Sequence, residues 1–341
     1  MTRRLFSTAA ALALGAATPA LAQVPTLTIS VYGIAQDEYK AALYDPFEAI
    51  CGCRLVVETG NSSERLAKLE ANRAAPVIDV AALSDADAAE AAQKGLIQPI
   101  DPAAITNLDS LYDFARDPVG GNHAIGYTFY GTSIVYRSDE VSVDSWLDLF
   151  SDELRGRVAL PNITTTQGPL ALYMIERAAG GESDDFDTAI AMVAEHRDDI
   201  VTFYERGSQI PQLLQQEEIL AAVVGRFGWS NILRTGLPVA WAEPAEGQTG
   251  GMNVLTVVEG TEQAELAHQF IDFWLSTEVQ TRLAEGLIDS PVNTTVTVSE
   301  DIAEGLTYGA ETAAAISFIP PAVQLEHRNA WIEGWNNNVA R

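Results

Sequence analysis

Residue 226 is an arginine in the stretch AAVVGRFGWSN (221–231), just past a run of small apolar residues and between two glycines. A guanidinium can grip a carboxylate or phosphate through two parallel hydrogen bonds. Basic groups are scarce in this chain, with 20 Lys and Arg against 47 Asp and Glu. The run Ile219–Val224 has the character of a short buried strand, so Arg226 would sit where that strand emerges. A structural salt bridge with a nearby acid such as Glu243 is the rival reading. Polar residues recur where other strands would end or helices begin: Tyr32-Gly33, Ser84-Asp85, Thr164-Thr165-Thr166-Gln167 and Ser208-Gln209. Open α/β sheets bind ligands at such strand ends. A helix N-terminus also offers free N–H groups and partial positive charge to an anion. Singly, each cluster reads better as an ordinary helix cap. Together they suggest a site.

Catalytic signatures are missing. The sequence has no G-x-S-x-G elbow, no H-E-x-x-H, no P-loop and no G-x-G-x-x-G. Its four histidines, His123, His196, His268 and His327, are scattered. Carboxylates are plentiful enough for a glycosidase-like pair, but nothing marks any two of them out. No cofactor is expected. Cys51 and Cys53, the two cysteines, lack the neighbouring His or Cys that a metal site would want. They read as small buried thiols at a helix-to-strand turn, or as a disulfide closed across one glycine.

The elements that would position these residues follow from the pattern. TLTISVYG, RLVVETG and VIDVAAL read as strands, each followed by a helical stretch. Asn61/Ser62 cap one of these helices, and Ser84 with Asp87 forms the S-x-x-D capping pattern of another. Three β-α units in succession make the class α/β. Residues 184–218 read as two helices around the strand IVTFY, and the end of the chain as mostly helical. A length of 341 residues suits two domains, or one large one, with ample core.

Charge and the N-terminus bound the partners. A net charge of −27 argues against nucleic acid, whose phosphates need Lys and Arg, and against anionic lipid. Residues 1–22 read as a cleaved signal peptide: Arg3-Arg4, an apolar h-region, and Ala20-Leu21-Ala22 before Gln23. TRRLFS also fits the twin-arginine route. No later apolar run reaches the roughly 18 residues of a membrane span. The expectation is a mature protein of the periplasm.

Over almost the whole mature chain the sequence resembles the periplasmic solute-binding proteins of ABC importers, spermidine/putrescine-binding branch. The segments that carry the resemblance are IDVAALSDADAAEAAQKGLIQPID, SWLDLFSDELRGRVALPN, GPLALYMIERAAGG, GLPVAWAEPAEGQTGGMNVLTVV, LAHQFIDFWLSTEVQTRLAE, SPVN and RNAWIEGWNN. The resemblance implies a two-lobed type II binding-protein fold with an interlobe cleft. Lobe I would comprise 23–133 and 251–300, and lobe II 134–250 and 301–341, with the chain crossing near 133, 250 and 300. It also implies hinge closure on a small-molecule ligand, a monomeric protein, and delivery to a membrane permease driven by an ATPase.

Departures from the family bear on the ligand. Positions that hold acids in polyamine binders fall near Asn162–Thr166 and at Asn253, and positions that hold tryptophans fall at Gly225 and Gly251. That loss speaks against polyamines. Arg226 lies beside one of the missing tryptophans, and Asp289, just before SPVN, matches a ligand-contacting position. An arginine facing an aspartate across the cleft would suit an amino-acid-like zwitterion or another small organic anion. Ferric-ion binders use paired tyrosines, and GRFGWSN has none. Tyr127 and Tyr130 do occur in YTFYG, and Tyr130 joins the expected ligand-binding set. A true polyamine binder, a ferric-ion binder and a secreted hydrolase are the alternatives.

Overall fold

The computed structural model describes residues 24–340. The signal peptide expected over 1–22 therefore lies outside the described residues. Eleven strands form one continuous sheet. They are β1 (Thr26–Val31), β2 (Arg54–Thr59), β3 (Val80–Ser84), β4 (Ile97–Gln98), β5 (Ile125–Arg137) and β6 (Val158–Pro161). The rest are β7 (Ile200–Tyr204), β8 (Ala221–Gly225), β9 (Val239–Trp241), β10 (Gln248–Val258) and β11 (Ile316–Phe318). The main path runs β2-β1-β3-β10-β5-β8-β6-β7. The fold is α/β with two lobes, as expected. Residues 316–318, read as helical, instead extend the sheet beside β10, where Gln248–Gly250 pair with them.

Each end of the sheet is built from β-α units. β1 pairs in parallel with β2 and β3, and β6 in parallel with β7 and β8. Between the strands run helices whose starts the sequence had marked. Asn61 accepts from Glu64 N at 2.9 Å while Glu64 accepts from Asn61 N at 3.0 Å, a complete capping box on the helix Ser62–Ala71. Ser84 Oγ accepts from Asp87 N at 3.2 Å and starts the helix Asp85–Gln93. One core gathers residues from Leu27 to Phe129 and from Met252 to Val292. Another gathers Ile134 to Ala242 and Ile319 to Val339.

β5 joins the two cores. Its Ile125–Thr132 half pairs with β10 and its Thr132–Tyr136 half with β8, so Thr132 faces Thr249 on one side and Gly225 on the other. The strands press together closely here: a Cβ on Gly250 would stand 2.2 Å from the Tyr130 carbonyl oxygen, which only glycine avoids. A third passage lies near the C-terminus, where Ala313 and Ile316 belong to the first core and Ile319 to the second. Before it, Leu306 packs in a smaller cluster of its own with Ala284 and Val296.

Cys51 and Cys53 form a disulfide, which replaces the free-thiol reading. Gly52, at φ 61°, ends the helix Asp45–Cys51 in a left-handed turn. That turn leaves the two cysteine Cα atoms 5.1 Å apart, within bridging range.

The helix Pro321–Asn338 buries Trp331 and Trp335 in the second core and also packs on the helix Asp85–Gln93. His327 bonds Asp185 at 2.7 Å, and its neighbour Arg328 approaches Asp87, on the other side, at 3.6 Å. Arg328 is half-exposed, so this tie contributes at most about 1 kcal/mol, or roughly fivefold in an equilibrium. Arg328→Ala should shift the ligand-free protein toward a more open form, read as an increased radius of gyration in small-angle scattering.

Candidate functional site

The C-terminal ends of β1 and β3 bring Tyr32, Gly33, Ser84 and Asp85 to one edge, with β10 alongside. Asn253 on β10 sits opposite Ser84 and accepts a hydrogen bond from the Tyr32 hydroxyl at 3.0 Å. Gly33 is exposed. Asp85 is 7% exposed, accepts from Ala86 N at 2.8 Å and has no cationic partner among the described residues. Burial, with Asp87 nearby, pushes its carboxyl up to about 7. Tyr130, half-buried on β5, packs on the second core, and its phenol is raised well above its ordinary value by burial and by nearby Asp85 and Tyr32. It therefore touches both sides of the junction.

The expected loss of aromatic walls is corrected by the packing. A Cβ on Gly251 would come within 2.2 Å of the Tyr130 hydroxyl, and one on Gly225 within 2.4 Å of the Phe227 ring. The glycines thus make room for aromatics supplied from other positions. Tyr130 and Phe227 meet edge-on with centroids 5.2 Å apart, and Phe227 is 62% exposed.

Arg226 is held differently from its expectation. Its guanidinium lies 4.7 Å from the Trp241 ring and 5.2 Å from that of Trp229, and its Nη2 donates to the Glu304 carbonyl at 2.6 Å. Burial pulls it down to about 10, opposed by Glu304 and Glu243. Those are the acids whose charge it feels. It forms no ion pair with Glu243, so the salt-bridge reading is not met, and Asp289 is not among the acids whose charge it feels. Asp289 is buried among tyrosines: it accepts from Tyr39 Oη at 2.7 Å, and its charge raises Tyr127 further. Burial pushes Asp289 up to about 7, against the hydrogen bonds of Tyr39 and Thr128, and it too has no cationic partner.

The ends of β6 and β7 carry the remaining candidates. Thr165 Oγ1 bonds the Asn162 carbonyl at 2.7 Å and accepts from Gly168 N at 3.1 Å, so it serves as a local cap. Thr166 is exposed and makes no capping bond. Gln167 opens the helix Gln167–Ala178, which packs on β5 and β10. It is 8% exposed, and its Nε2 has no hydrogen-bond partner. Ser208 is exposed in a turn beyond β7, the edge strand. Sequence reasoning missed Phe227 and Arg65. Arg65 could have been found as a basic residue sharing a helix face with Leu66 and Leu69, all three buried. A cavity of about 250 Å³ opens beside Asn72, Ile78, Leu96 and Val258, and none of the expected site residues lines it.

Residues 42–308 match the family of bacterial extracellular solute-binding proteins. The chain belongs to that family. This solute-binding protein is 25% identical over 252 residues to the spermidine/putrescine-binding periplasmic protein of Escherichia coli, covering 71% of each chain. A crystal structure of an ABC transporter from Clostridium perfringens superposes with a TM-score of 0.85 at 28% identity, covering 92% of this chain and 99% of that one. A GABA receptor structure superposes with a TM-score of 0.76 at 23% identity, covering 91% and 96%. The family serves ABC transporters as extracellular solute-binding components. No helix among the described residues is long and apolar enough to cross a membrane. Among the described residues, no group of three or more His, Cys, Asp or Glu side chains is arranged to hold a metal ion.

Asp85 and Asp289 set a pH dependence. Each has a folded value near 7 against 3.8 for the free side chain, so the folded protein binds more protons than the unfolded chain between about pH 4 and 7. Stability of the ligand-free protein should fall as pH rises through that window. Melting temperature should be lower at pH 8 than at pH 6, and Asp85→Asn should flatten the slope.

Proposed function

We propose that this solute-binding protein captures a small zwitterionic organic amine in the cleft beside Tyr130 and hands it to a membrane permease and its ATPase. It does so as an exported periplasmic monomer, without chemical turnover. One observation carries the reading: Asp85 is a buried carboxylate beside Tyr130 with no cation of its own. A buried charge without a partner is costly, and an ammonium group from the ligand would supply one. Tyr130 and Phe227 offer aromatic faces to the same cation. The start of the Gln167–Ala178 helix offers the anionic end its partial positive charge, the Thr166 hydroxyl and the unpartnered Gln167 Nε2. In this reading Arg226, which bonds the Glu304 carbonyl, serves the junction between the lobes. The lobes are taken as the two cores, with Asn253 and Ser84 on the floor of the cleft.

A second reading is favoured by Asp289, which gives the first lobe another buried carboxylate without a cation. Two such groups could each receive one ammonium of a diamine. Matched pairs of equal chain length separate the readings: 5-aminopentanoate against cadaverine, and 4-aminobutyrate against putrescine. The zwitterions should raise the melting temperature, by the equivalent of about 2.7 kcal/mol at 100 times the dissociation constant. Asp85→Asn should weaken that binding on the order of 100-fold. Stabilisation by the diamines alone would overturn the zwitterion in favour of a polyamine.

A further inference from the structure

Arg65 is a buried cation that no carboxylate among the described residues neutralises. It projects from the helix Ser62–Ala71 toward the sheet and is 2% exposed. Its Nε donates to the Ala82 carbonyl at 2.6 Å and its Nη1 to the Gly60 carbonyl. No carboxylate among the described residues forms an ion pair with it, and Nη2 has no hydrogen-bond partner. In a chain with 47 acids this isolation is a feature of the site, not of the composition.

The guanidinium carbon lies 3.8 Å from the centre of the Tyr32 ring. Tyr32 in turn gives its hydroxyl proton to Asn253, so an unbroken series of contacts runs from Arg65 through the phenol to β10. Ser62 and Arg65 both lie near the phenol oxygen, and Asp87 is the acid whose charge it feels. Asp87 is itself approached by Arg328. A guanidinium stays charged throughout the accessible pH range, and at 2% exposure solvent screens it poorly.

We propose that Arg65 is a positioning residue that sets the charge selectivity of the cleft: stacked on Tyr32, it fixes the phenol on Asn253 and gives the floor a positive pole that rejects a second ammonium group. This rests on the zwitterion reading above and sharpens it, since it explains how two unpaired carboxylates can coexist with preference for one ammonium. A purely mechanical role, tying Gly60 to Ala82, would alter stability but not selectivity.

The test compares wild type with Arg65→Gln and Arg65→Lys by two readouts. The first is the affinity ratio of cadaverine to 5-aminopentanoate. The second is the Tyr32 phenol titration, followed by 19F NMR on protein carrying 3-fluorotyrosine and assigned with Tyr32→Phe. In Arg65→Gln the ratio should rise by about tenfold or more toward the diamine, and Tyr32 should titrate at higher pH than in wild type. Arg65→Lys, which keeps the charge, should restore both in part. An unchanged ratio, or an unmoved Tyr32 titration, overturns the proposal. If neither amine binds the wild type, the zwitterion reading and the selectivity role fall together, and a moved phenol titration supports only the positioning of Tyr32 by Arg65, an unmoved one neither. If Arg65→Gln does not fold, the same two readouts on Arg65→Lys decide, because a lysine cannot reach both carbonyls and lie flat on the ring.

Discussion

The backbone pairing of β5 with β10 along one half and with β8 along the other is the constraint on which the rest depends. A thirteen-residue strand that changes partners at Thr132 must leave one core and enter the other without losing its hydrogen bonds. That places Tyr130, two residues before the exchange, between both cores. It also forces the main chains of Tyr130 and Gly250 so close that no Cβ fits between them. Thr307 reinforces the point by accepting from Gly131 N at 2.9 Å, which fastens the C-terminal passage to the same spot. Movement of the lobes would be concentrated there, since strand pairing is preserved on either side.

The proposed ligand chemistry rests on groups that are buried but not paired. Among the described residues Asp85 and Asp289 lack cations, Arg65 lacks an anion, and Gln167 lacks a partner for its amide. A protein selected only for stability would pair such groups or replace them with apolar ones. Several of them within one family of strand ends and helix starts fit a binding surface completed by its ligand. Arg226, the residue whose sequence context stood out most, lies against two tryptophans and bonds a carbonyl, yet its buried Nε also has no hydrogen-bond partner.

The aromatic lining shows how position and function can separate. The sequence resemblance led to the expectation of a wall removed at Gly225 and Gly251. In space, Phe227 and Tyr130 fill the volume those glycines release. A side chain two residues along, or across the ladder, can occupy the same place as a substituted one, and a linear alignment has no means of recording it.

The sequence by itself determined the α/β class, the capped helix starts at Asn61 and Ser84, and the buried strand that ends at Gly225. These depend on local periodicity and on hydrogen bonds spanning three or four residues. The family resemblance added the two-lobed plan and Asn253, while strand ends and helix starts gave Tyr32, Ser84 and Asp85, and these gather at one place with Tyr130. Only the tertiary structure decided that Arg226 binds the Glu304 carbonyl, that Asp289 belongs to a nest of tyrosines, and that Cys51 meets Cys53. It alone placed Arg65 under Tyr32. Those partners lie up to 250 residues apart in sequence. Which charge meets which depends on burial and on strand order, and neither is encoded within any short window of the chain.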